Sequence, residues 1–216
     1  MRNTSRVSIP ESLKKNSKRW TRNLLKKKKE CSRNNSTIPD GYFDKYRQKD
    51  ILDSLKLMYK SLCCYCEARI GIVDYPHIEH RMPKKVYPKY TYDWNNLHLS
   101  CTMCNVSKGS KYDAKNPILD AVKDNPITDH LTYEIVWRKP NTNRGNTTII
   151  HTGLNREELR TARQDILLRV LTLIAEINNN ANNPENGMRL EQLEILSEDQ
   201  FGSLIKYAMD SFLKWN

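Results

Sequence analysis

No apolar run in the 216-residue chain approaches the roughly 18 residues needed to cross a bilayer, so no membrane span is expected. Basic residues near the N-terminus are followed by no apolar stretch, so no secretory signal is expected. No internal repeat is visible. Acidic residues are scarce where basic ones are dense. Residues 1–30 hold eleven Lys/Arg against Glu11 and Glu30, or +9 of the formal net charge of +11, leaving only +2 for everything beyond Glu30. A cytoplasmic setting is the default. There the six cysteines stay reduced and favour metal binding over disulfides.

What is present fits one domain with extensions, or two small domains, with enough chain for a real core. The basic segment is either a solubilising, partly disordered tail or a phosphate-binding arm. Trp20, Leu24 and Leu25 point to part of it docking as a helix over residues 11–29. Residues 31–41 read as loop. Residues 43–61 read as an amphipathic helix, with Ile51, Leu52, Leu55 and Met58 on its apolar side. Ile70–His80 and Asn96–Leu99 carry short strand character, the stretch between them is irregular, and a helix opens near Cys104. Residues 132–150 predict a hairpin, with Tyr133–Trp137 and Thr147–Ile150 flanking a turn at Pro140–Gly145. Asn155 is placed to cap a helix running to about Asn178. Ser197-Glu-Asp-Gln200 reads as a capping box opening a last helix through Phe212.

Two pairs, Cys63-x-x-Cys66 and Cys101-x-x-Cys104, share one spacing and enclose the long interval 67–100. Four thiolates suit a structural zinc with no open coordination position, and its loss should unfold the module. The interval exceeds a zinc-ribbon gap, so a functional element is inserted. Cys31 and Cys64 are spare.

Within and just after the interval lie Glu79, His80 and Asn105. Phosphodiester hydrolysis needs an attacking water, a base and a cation. Histidine is the obvious base. A carboxylate and an amide oxygen are hard donors for Mg²⁺ or Mn²⁺. Arg81 and Lys84 either bind phosphate or form a solvated rim. His77 shares a strand face with Glu79 and either joins the metal site, contacts phosphate or sits at the surface, the last being favoured. The tyrosines at 87, 90 and 92 either stack on bases or pack in the core.

The order Cys63-x-x-Cys66, Glu79-His80, Asn96-Leu97-x-Leu99-x-Cys101-x-x-Cys104-Asn105-x-x-Lys108 resembles an HNH endonuclease. The resemblance implies an α+β fold, a zinc-stabilised ββα-metal core. In it His80 is the general base, Glu79 and Asn105 hold the catalytic cation, and Asn96 steadies the loop and the base. Lys108 is then expected to touch phosphate or support the turn. Cys63-Cys-Tyr-Cys-Glu67, Ile78-Glu-His-Arg-Met-Pro-Lys84, Asp93-Trp-Asn-Asn-Leu97 and Thr152-Gly-Leu-Asn-Arg156 are similar to the HNH subunit of Septu-type anti-phage systems, also found with some retrons. That likeness implies an ABC/SMC-like ATPase partner and nucleic acid as substrate, with DNA the default and RNA open. The organisation expected is a basic region at 1–42, the nuclease core at 43–130, and a hairpin and helical part at 131–216. The rival readings are a non-catalytic zinc module that binds nucleic acid, and an adaptor of the ATPase.

Overall fold

A computed structural model describes residues 1–71 and 74–214. Helix α1 (Glu11–Arg33) buries Leu13, Trp20, Leu24 and Cys31. Their spacing of seven, four and seven residues draws one stripe along the helix. That stripe lies against the turn at Pro88–Tyr90, where Trp20 meets Tyr92 edge-on at 5.4 Å. Pro10 precedes the helix without capping it. The Asp50 carboxylate instead accepts from the Ser12 amide and hydroxyl, both at 2.8 Å. Asp50 opens α2 (Lys49–Tyr59), so the two helices are pinned at their first turns.

Helix α2 starts later than the expected residue 43, because Phe43 and Tyr46 are buried in the turn before it. It ends with Lys60 and Ser61 both at positive φ, a reversal that brings the chain straight to Cys63. The first cysteine pair forms a tight knuckle, in which the Cys63 amide donates to Ala68 and the Glu67 amide to Cys63. Strand character in the 70–80 segment settles on β1 (His77–His80), while residues 72 and 73 lie outside the described residues. β1 pairs antiparallel with β2 (Leu97–Ser100), Glu79 opposite His98 and His80 opposite Leu97. Helix α3 (Thr102–Lys108) follows directly, capped by the Cys101 sulfur. Strand, strand and helix therefore surround one site in the expected order.

The expected hairpin is corrected throughout: its turn falls at residues 135–136, inside the expected first strand Tyr133–Trp137, and not at Pro140–Gly145. β3 (Leu131–Glu134) pairs with β4 (Trp137–Pro140), and residues 143–152 are α4 (Asn143–Thr152). The β-branched run around Thr147–Ile150 suggested a strand, but tertiary fit decides otherwise. Thr142 caps α4 by accepting from Gly145, and the Thr148 and Thr152 hydroxyls bond back to carbonyls one turn earlier. A Cβ at Gly145 would lie 2.1 Å from the His130 carbonyl oxygen, so only glycine lets the helix approach.

Asn155 does not cap α5 (Glu157–Asn179). It borders β4 instead, accepting from the Arg138 amide and donating to its carbonyl at 2.7 and 2.9 Å. The proposed capping box at Ser197 falls inside α6 (Asn186–Glu198), where the hydroxyl bonds to Glu194. The last helix, α7 (Gly202–Phe212), begins after Phe201 at positive φ. α5, α6 and α7 pack on one another. No helix among the described residues is long and apolar enough to cross a membrane.

Buried Glu67 ties the cysteine knuckle to this helical part. It accepts from Arg138 at 2.7 Å, from Arg2 at 3.0 Å and from the Ser203 amide at 3.0 Å. Burial alone would raise its pKa. The Met1 amino group, Arg138 and Arg2 outweigh that and hold the carboxyl well below the usual range.

Candidate active site and metal centre

The sulfurs of Cys63, Cys66, Cys101 and Cys104 lie within 4.8 Å of one another and are buried. A tetrahedral ion with bonds of about 2.3 Å to sulfur has edges of about 3.8 Å. Cys66 and Cys101 are 3.8 Å apart. The donor set and its spacing fit a closed four-thiolate ion, with every ligand supplied by the protein. Cys31 and Cys64 are buried outside the cluster. Arg156, from the turn before α5, donates to the Cys104 sulfur at 3.5 Å. A guanidinium there offsets part of the negative charge that four thiolates bring.

Glu79, His80 and Asn105 come together on the wall of an open cleft of about 910 Å³, with Tyr46, Lys49, His77, Lys84 and Lys85 around them. His80 is 6 % exposed, and its ring packs edge-on against Tyr46 at 4.5 Å. Its Nε2 lies 2.9 Å from the Thr91 carbonyl. A carbonyl only accepts, so Nε2 carries the proton and Nδ1 keeps its lone pair. Burial pushes the imidazole down to about 3, so it is neutral at physiological pH.

Asn96 sets the position of that carbonyl. Its Oδ1 accepts from the Met82 amide at 2.8 Å, and its Nδ2 donates to the Met82 and Tyr90 carbonyls at 3.0 Å each. Both ends of the 82–91 excursion are thereby closed beside Thr91. The excursion itself is anchored in the core by Tyr92, which packs on Trp20, and Tyr87 packs on Tyr112 at 4.9 Å.

Glu79 is buried and held by Lys108, 2.5 Å from its carboxylate, and by the Tyr65 hydroxyl at 3.4 Å. Burial raises its pKa and Lys108 only partly offsets that. Lys108 also donates to the His80 carbonyl at 2.8 Å. One ammonium at the end of α3 thus braces both residues of the Glu79-His80 pair. Being 1 % exposed, Lys108 is turned inward rather than toward a phosphate.

A hydrogen-bonded relay orients Asn105. The Asp74 carboxylate accepts from the Thr102 hydroxyl. That oxygen lies 3.0 Å from His77 Nε2, and His77 Nδ1 lies 3.3 Å from Asn105 Nδ2. An amide NH₂ can only donate, so the polarity runs from Asn105 through His77 to Asp74 and leaves the Asn105 carbonyl oxygen as the free donor atom. One carboxylate and one amide oxygen in an open cleft fit a hard divalent cation that keeps several waters.

Arg81 is committed to the interior, with its guanidinium on the Ile118 carbonyl at 3.1 Å and near Asp120 at 3.5 Å. Lys84 stays on the cleft wall, paired with Asp44 at 2.9 Å. His77, expected at the surface, is instead part of the cleft. Its position two residues before Glu79 on one strand was the available signal.

Residues 63–111 match the family model for HNH endonucleases. By that match the segment is similar to HNH endonuclease domains. Around it the chain is similar to the Septu protein PtuB of Bacillus mycoides (strain KBAB4), 30% identical over 157 residues, covering 57% of this chain and 53% of that protein. It is also similar to the Septu protein PtuB of Bacillus thuringiensis, 34% identical over 99 residues, covering 45% and 38%. The chain thus spans about half the length, or less, of the curated relatives it matches. The HNH match encloses both cysteine pairs, β1, β2 and α3, so all four thiols and the Glu79, His80 and Asn105 cluster fall inside it.

Proposed function

We propose that the chain is a divalent-cation-dependent endonuclease that hydrolyses nucleic-acid phosphodiesters. We further infer that it works as the effector of an anti-phage defence complex with an ATPase, DNA being the favoured substrate. The observation that carries the chemistry is His80, with its proton fixed on Nε2 by Thr91, lining the same cleft as the two hard-oxygen donors Glu79 and Asn105. The partner and the defence setting rest on the similarity to Septu PtuB proteins.

Glu79 and Asn105 would hold Mg²⁺ or Mn²⁺. When bound, the cation stabilises negative charge on the phosphate and leaving oxygen. His80 takes the proton of the attacking water at Nδ1. An anionic phosphodiester entering the cleft favours the imidazolium and so raises the basicity that burial suppresses. Thr91 keeps the ring from turning, and Asn96 keeps Thr91 in place. The ion in the four-cysteine cluster is zinc in this reading; with no open position it fixes the frame and takes no part in cleavage.

The test is incubation of plasmid and of total RNA with the purified chain, with and without Mg²⁺ and a Septu-type ATPase. Cleavage that requires Mg²⁺ is the expected result. Cleavage indifferent to chelation of Mg²⁺, or none under any combination, would overturn the proposal.

A further inference from the structure

The densest charge in the molecule lies outside the cleft. Eight lysines and arginines of α1 are exposed and, among the described residues, form no ion pair with a carboxylate. Lys18, Arg22, Lys26, Lys29 and Arg33 lie opposite the buried Leu13, Trp20 and Leu24 stripe, and Lys14, Lys18, Arg22 and Lys26 follow one another at i, i+4. Each such like-charge rung costs a helix about 0.2–0.5 kcal/mol. A face that needed only solubility would be served by mixed signs. Between Glu11 and Glu30 this one keeps a single sign over residues 14–29, or about 24 Å, roughly two-thirds of a turn of B-form duplex.

The cationic face does not end in solvent. A groove of about 410 Å³ separates α1 from the 39–45 turn, with Lys26, Tyr42, Lys45 and the Lys27–Glu30 ion pair on its walls. The residues that follow Lys45, namely Tyr46, Arg47 and Lys49, line the cleft that holds Glu79 and His80. Exposed Lys85 stands on the same cleft wall. Lys26, Lys45, Lys49 and Lys85 form no ion pair among the described residues, whereas Arg81 and Lys108, for which phosphate contact was one of two expectations, are engaged inside the fold. The free cations therefore form a line from the outer face of α1, across the 45–49 turn, into the cleft.

We propose that this line is a phosphate-binding track. The backbone of the nucleic acid runs along α1 and crosses the turn at Lys45 to reach His80. The proposal deepens the nuclease reading and rests on it. The contacts are to phosphate, so the track confers affinity and direction without reading sequence.

The experiment measures binding in the uncut state. In a His80→Ala background, affinity for a 30-bp DNA duplex and for a single-stranded RNA of equal length is followed by anisotropy across a KCl series. Lys18→Gln, Arg22→Gln and Lys26→Gln are combined, and a second variant carries Lys45→Gln and Lys49→Gln. Glutamine keeps helix propensity and removes like-charge repulsion, so α1 should persist; circular dichroism checks this. Three lost phosphate contacts lower the slope of log Kd against log salt by about 2.7 on duplex DNA, or about 2 on single strands, and weaken low-salt binding at least about tenfold. The duplex and single-strand arms tell which backbone the track prefers. A control triple at exposed Lys115, Lys123 and Lys139 should leave the slope unchanged. Unchanged binding in the α1 triple, or an equal loss in the control, would overturn the track. Wild-type protein that binds along the track but cuts nothing would instead overturn the nuclease reading.

Discussion

Replacing Lys108 by methionine keeps most of the side-chain volume and removes one charge from beneath the candidate active site. The Glu79 carboxylate, already pushed upward by burial, then faces the Tyr65 hydroxyl without its cation. The His80 carbonyl also loses its donor. Removing one member of a buried ion pair costs about 3–5 kcal/mol, since the other charge stays behind. For a chain of this size that is a fall in Tm of roughly 6–20 °C. The deficit has a definite pH dependence. A carboxyl whose folded pKa is raised contributes stability below its unfolded pKa and loses it as pH rises through the folded value. The variant's Glu79 is raised further than the wild type's, so its deficit is largest at neutral pH and shrinks as the solution is acidified toward about pH 5. Thermal melts of zinc-loaded protein at about pH 7.5 and 5.5 measure this. Glu79→Gln should rescue most of the loss in the double variant, because the uncompensated charge is gone. A Lys108→Met protein within about 1 kcal/mol of wild type at neutral pH, far short of the cost of a stranded buried charge, or no rescue by Glu79→Gln, would refute the reasoning.

Three further outcomes follow from the same contacts. Asn96→Ala strands the Met82 amide and the Met82 and Tyr90 carbonyls; it should cost about 1–3 kcal/mol in denaturant unfolding and slow cleavage by freeing the Thr91 carbonyl. Arg156→Met removes the donor to the Cys104 sulfur and should weaken zinc retention against a competing chelator by about 10–100-fold, with Mg²⁺ dependence of cleavage unchanged. His77→Phe keeps the strand but leaves the Asn105 amide free to flip; calorimetric titration should show weaker Mn²⁺ binding, while the zinc content stays at one equivalent.

The cysteine frame was legible because paired spacing encodes a ligand set, and the thiols do converge. The strand, strand and helix order around Glu79, His80 and Asn105 was legible for a related reason: each element is short and bounded by its own signals. Local signals misled where distant contacts decide the backbone. Thr147–Ile150 has strand composition, yet the close approach of Gly145 to His130 and the threonine back-bonds make it helix. Asn155 and Ser197 have the chemistry of helix caps and are used for a strand edge and a helix interior. In the site, residue type left Arg81 open between phosphate and a solvated rim, and the resemblance left Lys108 open between phosphate and support of the turn; both are turned inward. Their burial depends on Asp120 and Glu79, partners distant along the chain, which no local pattern displays. Helix α6 gave little signal because few of its residues are buried.

The central claim separates frame from chemistry: the cysteines hold the domain and His80 does the work. Cleavage by zinc-replete His80→Ala protein tests it most directly. The account predicts one zinc per chain, a melting temperature close to wild type, and cleavage slowed by about 10²–10⁴-fold, the usual worth of a positioned base. Cleavage at the wild-type rate by a folded, zinc-loaded His80→Ala protein would contradict it.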